Sequence, residues 1–195
     1  MVAPYFLRLK LKELMNMLVA GIDGSTKNTG VSIMRDGKLE FYTLIDFHKE
    51  KDAIKRIQNM WIEIGKILDK YKPDVVYMEK SIDKKNIDTL QKLSYLAGGV
   101  MFYCTQNDID FINPFPAEWR AKIGIKQSNK IKRDMLKAEA IIAVRKEYGL
   151  DVGDDVAEAI LICRSAFNLT EIALTEDDLA EASLWWKQCH GCGFI

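Results

Sequence analysis

The first strongly patterned stretch runs from Leu18 to Met34. Leu18-Val19-Ala20-Gly21-Ile22 is continuously apolar, Asp23 closes it, Gly24 to Asn28 is a polar turn, and Thr29 to Met34 is largely apolar again. Two such runs joined by a short Gly-containing turn predict a β-hairpin with an acid at the end of its first strand. Asp36-Gly37 then predicts a two-residue turn into a third strand over Lys38 to Asp46, where Leu39, Phe41, Thr43 and Ile45 alternate. Together these strands make an antiparallel meander.

The pattern then changes period. Between Asp52 and Lys70, Ile54, Ile57, Trp61, Ile64 and Leu68 recur at helical spacing, and Tyr71-Lys72-Pro73 ends that helix, which should cover one face of the sheet. Asp74-Val75-Val76-Tyr77-Met78-Glu79 reads as a buried parallel strand that again ends in an acid. A helix from Asn86 to Gln106 should turn Ile87, Leu90, Leu93, Ala97, Val100 and Met101 inward, with Gly98-Gly99 permitting close approach by another backbone. Asp110 to Asn113 is a fifth strand, ended by Pro114 and Pro116. Ala117 to Ile123 predicts a short helix, Gly124 to Asn129 a polar basic loop, and Lys130 to Tyr148 a longer helix stopped at Gly149. Gly153-Asp154-Asp155 introduces an apolar helix from Val156 to Phe167 and supplies a third acidic cluster.

At 195 residues and 48% hydrophobic content, the chain has enough material for one substantial core. The expected domain covers 17–168. It follows an extension, 1–16, in which Leu7 to Leu14 reads as a short helix or an extra strand, and precedes an acidic, Cys-containing tail, 169–195. No apolar run is long enough to span a bilayer and the start lacks a secretory signal, so a cytoplasmic location without membrane attachment is expected. The formal charge is zero, which excludes a global field for a polyanion, but Arg120, Lys122, Lys126, Lys130, Lys132, Arg133 and Lys137 crowd one region. That cluster reads equally as a local basic surface or a solvated helix face. Cys104 and Cys163 sit in apolar helical patterns as reduced core residues. Cys189-His190-Gly191-Cys192 has metal-like spacing but no second pair, and a closed zinc site needs four ligands.

The acids carry the candidate chemistry. Each has a bland reading: Asp23 bonding amides in its turn, Glu79 at an exposed strand end, Asp155 and Glu158 as a capping box. If Asp154 caps instead, Asp155 and Glu158 lie at i and i+3 on one helix face. What those readings leave unexplained is the order of all three clusters within one strand and helix pattern. Packed carboxylates repel unless positive charge lies between them, and oxygen ligands without His or thiolate suit Mg²⁺ or Mn²⁺.

That order resembles the RuvC Holliday-junction resolvases of the RNase H-like fold, particularly compact phage-type members. Gly21-Ile22-Asp23-Gly24-Ser25-Thr26-Lys27-Asn28-Thr29-Gly30 looks like the family's opening motif, and Val76-Tyr77-Met78-Glu79 resembles the second. Asp154-Asp155-Val156-Ala157-Glu158-Ala159 resembles the last, and Pro116-Ala117-Glu118-Trp119-Arg120 followed by Gly124-Ile125 is similar to the link before the basic helix. The resemblance covers Met17 to Phe167. It implies an α/β fold: an RNase H-like five-stranded mixed sheet, a three-strand antiparallel meander plus parallel strands, flanked by helices.

By the same resemblance, Asp23, Glu79, Asp155 and Glu158 are the catalytic, metal-binding acids, with Asp154 a further candidate. Two Mg²⁺ ions are expected in each site, with Mn²⁺ able to substitute. The implied reaction is symmetric hydrolysis of four-way DNA junctions by a homodimer in a bacterial cell or phage-infected host. The Gly98-Gly99 helix is a candidate for the dimer interface, with packing inside the chain as the alternative. Arg120 and Lys130 match phosphate-contacting positions, Lys126, Lys132 and Arg133 belong to the same basic cluster, and Lys80, Lys84 and Lys85 lie near Glu79 in sequence. The family usually has Asp where Glu158 stands, and often an aromatic wedge where Ile82 stands, so an apolar wedge is expected. The rival readings are a non-cutting branched-DNA-binding protein and a nuclease for flaps and forks. Asp-Gly-Ser-Thr before Gly30 also resembles the phosphate loop of the actin and sugar-kinase superfamily, but the chain has no room for that superfamily's second lobe.

Overall fold

A computed structural model describes residues 16–82, 86–125, 127, 131–167, 169 and 171–191, the side chains of 186–191 excepted. The predicted hairpin forms from β1 (Leu18–Gly24) and β2 (Asn28–Arg35), with Asp23 opposite Gly30. Asp36 and Gly37 both take positive φ, 50° and 78°, and turn the chain into β3 (Lys38–Asp46). Positive φ at both central residues matches the twist of a hairpin, which is why an Asp-Gly pair occupies the turn.

Two parallel strands complete the sheet, β4 (Val75–Met78) beside β1 and β5 (Asp110–Ile112) beside β4, in the order β3-β2-β1-β4-β5. Strand residues alternate between two faces. Ala20, Ile22, Val31, Ile33, Val76 and Met78 face α1 (Ala53–Tyr71) and α2 (Ile87–Gln106). Val19, Met34 and Val75 face α3 (Pro116–Lys122), α4 (Arg133–Tyr148) and α5 (Asp154–Arg164).

α5 packs directly on the hairpin because two positions there lack side chains. A Cβ on Gly21 would lie 2.4 Å from the Ala159 carbonyl oxygen, and one on Gly30 would lie 2.0 Å from that of Asp155. Between them, Ser32 Oγ donates to the Ala159 carbonyl at 2.9 Å. The helix is therefore tied at a fixed height above β1 and β2. Burial pushes the Cys104 and Cys163 thiols up to about 12, which keeps both protonated in the core.

Several expectations change. Ile54 is 45% exposed, whereas Met60 is fully buried; Ile87 and Met101 are also exposed, while Leu96 and Cys104 face the sheet. Gly98 meets nothing, and Gly99 lies against the Trp61 side chain rather than another backbone. The basic helix begins at Arg133 rather than Lys130, which lies outside the described residues. The acidic stretch read as a tail contains α6 (Glu176–Gly191), docked on α4 through Arg145–Glu181, Lys146–Asp178 and buried Ala182. Cys192 lies outside the described residues, as does the Leu7 to Leu14 segment. No helix among the described residues is long and apolar enough to cross a membrane.

Candidate active site

Strand parity brings the first two acids together. Asp23 follows Val19 and Gly21 on the α5 face of β1, and Glu79 follows Val75 and Tyr77 on the same face of β4. The strands are adjacent and parallel, with Ile22 beside Met78, and the Glu79 amide donates to the Ile22 carbonyl at 3.1 Å. Asp23 and Glu79 therefore leave neighbouring strand ends in the same direction.

The third cluster arrives on α5. Its N-cap is Gly153, without a side-chain capping bond, so neither Asp154 nor the Asp155/Glu158 pair caps the helix. Asp155 sits in the first turn and Glu158 one turn later, 3% exposed. The close approach at Gly30 holds this end of α5 over the hairpin. All three acidic clusters thus converge at one end of the sheet.

Their electrostatics record the crowding. Burial, then Glu158, Glu79 and Asp155, raises the Asp23 carboxyl well above the ordinary carboxylate range. Burial and Glu158 raise Glu79, against the opposing effects of Arg120 and a 2.6 Å hydrogen bond from Trp119 Nε1. Burial and Asp154 raise Asp155, with Lys137 opposing. Lys137 itself loses charge stability through burial but gains more from its bond to Asp154 and from the surrounding acids, and its pKa rises. As they stand, no three His, Cys, Asp or Glu side chains among the described residues meet at ion-ligand spacing.

Stability should therefore fall as pH rises in chelator-containing buffer. A carboxyl raised on folding stabilises the fold below its unfolded pKa and loses that contribution as pH passes its folded value. Asp46, Asp52 and Asp178 are shifted downward, Asp178 to about 2, so their stabilising contribution is complete at lower pH. Thermal melting between about pH 5 and 8 should show a declining midpoint that flattens in Asp23→Asn. A wild-type midpoint independent of pH over this interval would contradict the clustering.

The basic candidates divide. Arg120 is 5% exposed, and its guanidinium bonds to Glu158, lies 3.9 Å from Glu79 Oε2 and stacks 4.4 Å from the Trp119 ring centroid. In this structure its charge is turned inward on the acids rather than outward to a surface. Lys132 and Arg133 are exposed at the start of α4, and Lys80 is exposed with its ammonium 4.4 Å from the Phe115 ring centroid. Lys84, Lys85, Lys126 and Lys130 lie outside the described residues. Ile82, 53% exposed, borders a 340 Å³ cavity shared with Glu79, Pro116, Arg120, Gln127, Ile131, Arg133 and Leu136. A larger 600 Å³ cavity lies at the far end of β3, lined by Gly37 to Tyr42, Tyr148 and Leu150, away from the acids.

Two participants were not assigned these roles from the sequence. Trp119 orients Glu79, and Lys137 pairs with Asp154 and approaches Asp155 at 3.8 Å. A fully buried indole needs an acceptor, so Trp119 in a short helix beside charged residues was a usable signal. The inward turn of Lys137 has no local signature.

The family described as Crossover junction endodeoxyribonuclease RuvC matches residues 19–163. A protein of that name from Fusobacterium nucleatum is 29% identical over 160 residues, 78% of this chain and 80% of its own length. Another from Dictyoglomus thermophilum is 26% identical over 153 residues, covering 76% of this chain and 95% of the relative. The solved structure of T. thermophilus RuvC in complex with Holliday junction substrate superposes with a TM-score of 0.61 at 16% identity, covering 76% of this chain and 92% of that one. This structural likeness shows a shared RNase H-like α/β fold.

Proposed function

The chain belongs to the crossover junction endodeoxyribonuclease RuvC family, and from that premise we propose that it is a metal-dependent nuclease resolving four-way DNA junctions by symmetric phosphodiester hydrolysis. The supporting observation is the convergence of Asp23, Glu79, Asp155 and Glu158 from β1, the end of β4 and α5. An all-carboxylate donor set, in which burial and the neighbouring acids raise the Asp23 and Glu79 carboxyls, fits hard divalent cations. These four acids would hold Mg²⁺, two ions per site with Mn²⁺ substituting, and Asp154 stands beside them. Such ions, when bound, supply Lewis-acid charge for generating the nucleophile and stabilising the leaving oxygen.

The chain's own residues prepare that chemistry. Trp119 fixes one oxygen of Glu79, while the contact between Gly30 and α5 sets the height of Asp155 and Glu158. Lys80, Lys132 and Arg133 offer positive charge at the rim, where phosphate contacts position DNA without reading its sequence. Ile82 is exposed beside the acids as the apolar wedge for the junction centre. The nuclease unit spans 17–168, and the proposed location is cytoplasmic.

Two symmetric cuts require two sites, hence a homodimer. On α2, Ile87, Tyr95, Met101 and Phe102 are 79%, 51%, 50% and 63% exposed around Gly98, which an added Cβ would leave without contacts within 4 Å. An apolar stripe of this kind on one helix suits an isologous contact. Phe102→Glu is expected to shift sedimentation from dimer to monomer and convert paired nicks into single ones. A dimer retained with paired nicking would remove α2 from the interface.

The substrate assignment is tested by cleavage of matched four-way junctions, flaps, forks, RNA–DNA hybrids and linear duplex. Preferential junction cutting is expected. Preference for flaps or forks would retain the nuclease and reject the resolvase, while junction binding without nicking in Mg²⁺ or Mn²⁺ would favour a non-cutting binder.

A further inference from the structure

We propose that Arg120 is a resident counter-cation of the carboxylate cluster, which yields Glu158 when a divalent ion enters and turns into the adjoining cavity. This rests on the proposed metal-binding role of the acids and adds a competing, positioning role for a residue that the sequence placed among phosphate contacts.

The geometry has three parts. Arg120 is almost wholly buried on α3, with one terminal nitrogen bonded to Glu158 and the same nitrogen 3.9 Å from Glu79. Its positive charge thus bridges two of the acids proposed to hold the ion. The other terminal nitrogen donates to Gln127 Oε1 at 3.2 Å, and among the described residues Nε is buried without a hydrogen-bond partner. Finally, the 340 Å³ cavity bordered by Arg120 and Arg133 gives the guanidinium somewhere to go without moving α3.

The chemistry closes in both states. Without an ion, Glu79 and Glu158 need positive charge nearby, and Arg120 supplies it. With an ion between the acids, a cation at Glu158 becomes repulsive, and the same side chain gains from facing a phosphate at the cavity mouth. Ion entry and phosphate engagement are thereby coupled through one residue.

Mn²⁺ titration followed by electron paramagnetic resonance tests this on the full chain, using wild type and Arg120→Gln. The variant is expected to bind Mn²⁺ at least about tenfold more tightly, because one competing positive charge is gone. Its metal-free form should melt lower, and saturating Mn²⁺ should narrow that difference. Equal or weaker Mn²⁺ binding by a folded Arg120→Gln would overturn the proposal while leaving the metal-dependent nuclease intact. Binding by neither protein would overturn both.

The wild type alone also decides the matter if Arg120→Gln does not fold. The Arg120 Nε–H resonance should be protected in chelator and enter rapid solvent exchange with saturating Mg²⁺. Buried Arg164, paired with Glu147 away from the cluster, should remain protected as the internal reference. An Arg120 resonance protected to the same degree at saturating Mg²⁺ would show that the guanidinium stays in place and contradict displacement.

Discussion

Asp23→Asn is expected to abolish junction cutting while preserving junction binding. The substitution keeps side-chain volume and removes the charge from the acid surrounded by Glu158, Glu79 and Asp155. Losing a metal-binding carboxylate forfeits several kcal/mol of transition-state stabilisation, about a thousandfold or more in rate at 1.36 kcal/mol per decade. Binding should change little, because affinity for DNA comes chiefly from phosphate contacts elsewhere on the surface. Single-turnover cleavage and gel-shift titration of the same labelled junction separate these effects. Unchanged cleavage would remove Asp23 from the catalytic set.

Gly30→Ala should produce the largest loss of stability among small substitutions in β2. The new Cβ would overlap the Asp155 carbonyl at 2.0 Å, and the obstructing atom is helix backbone, so no rotamer change relieves it. Forcing α5 away from the hairpin should cost about 3 kcal/mol or more, which at roughly 2–4 °C per kcal/mol lowers the melting temperature by about 6–12 °C. The same displacement moves Asp155 and Glu158 relative to Asp23, so activity should fall further than the unfolded fraction explains. An unchanged melting temperature with full activity would contradict the contact.

The sheet and the direction in which each acid leaves its element were readable because both depend on local period. Alternation through β1 and β4 decides which way Asp23 and Glu79 point, and helical spacing places Asp155 and Glu158 one turn apart. What surrounds those acids depends on tertiary contacts that no short window contains. Arg120 and Lys137 looked like members of an outward basic surface, yet each turns its charge onto an acid more than a dozen positions away. Gly21 and Gly30 were visible only as turn and motif residues, whereas their close contact with α5 sets the site. In α2 the apolar residues occupy more than one face, so periodicity alone turned Ile87 and Met101 inward. The structure exposes both and gives the sheet Leu96 and Cys104 instead.

The most direct test is a four-way junction labelled in turn on each strand and incubated with the protein in Mg²⁺ or in EDTA. Paired nicks at symmetry-related positions on two opposing strands are expected with Mg²⁺, with none in EDTA. Cleavage that persists in EDTA, or a junction bound but uncut in both Mg²⁺ and Mn²⁺, would contradict a carboxylate-held metal nuclease.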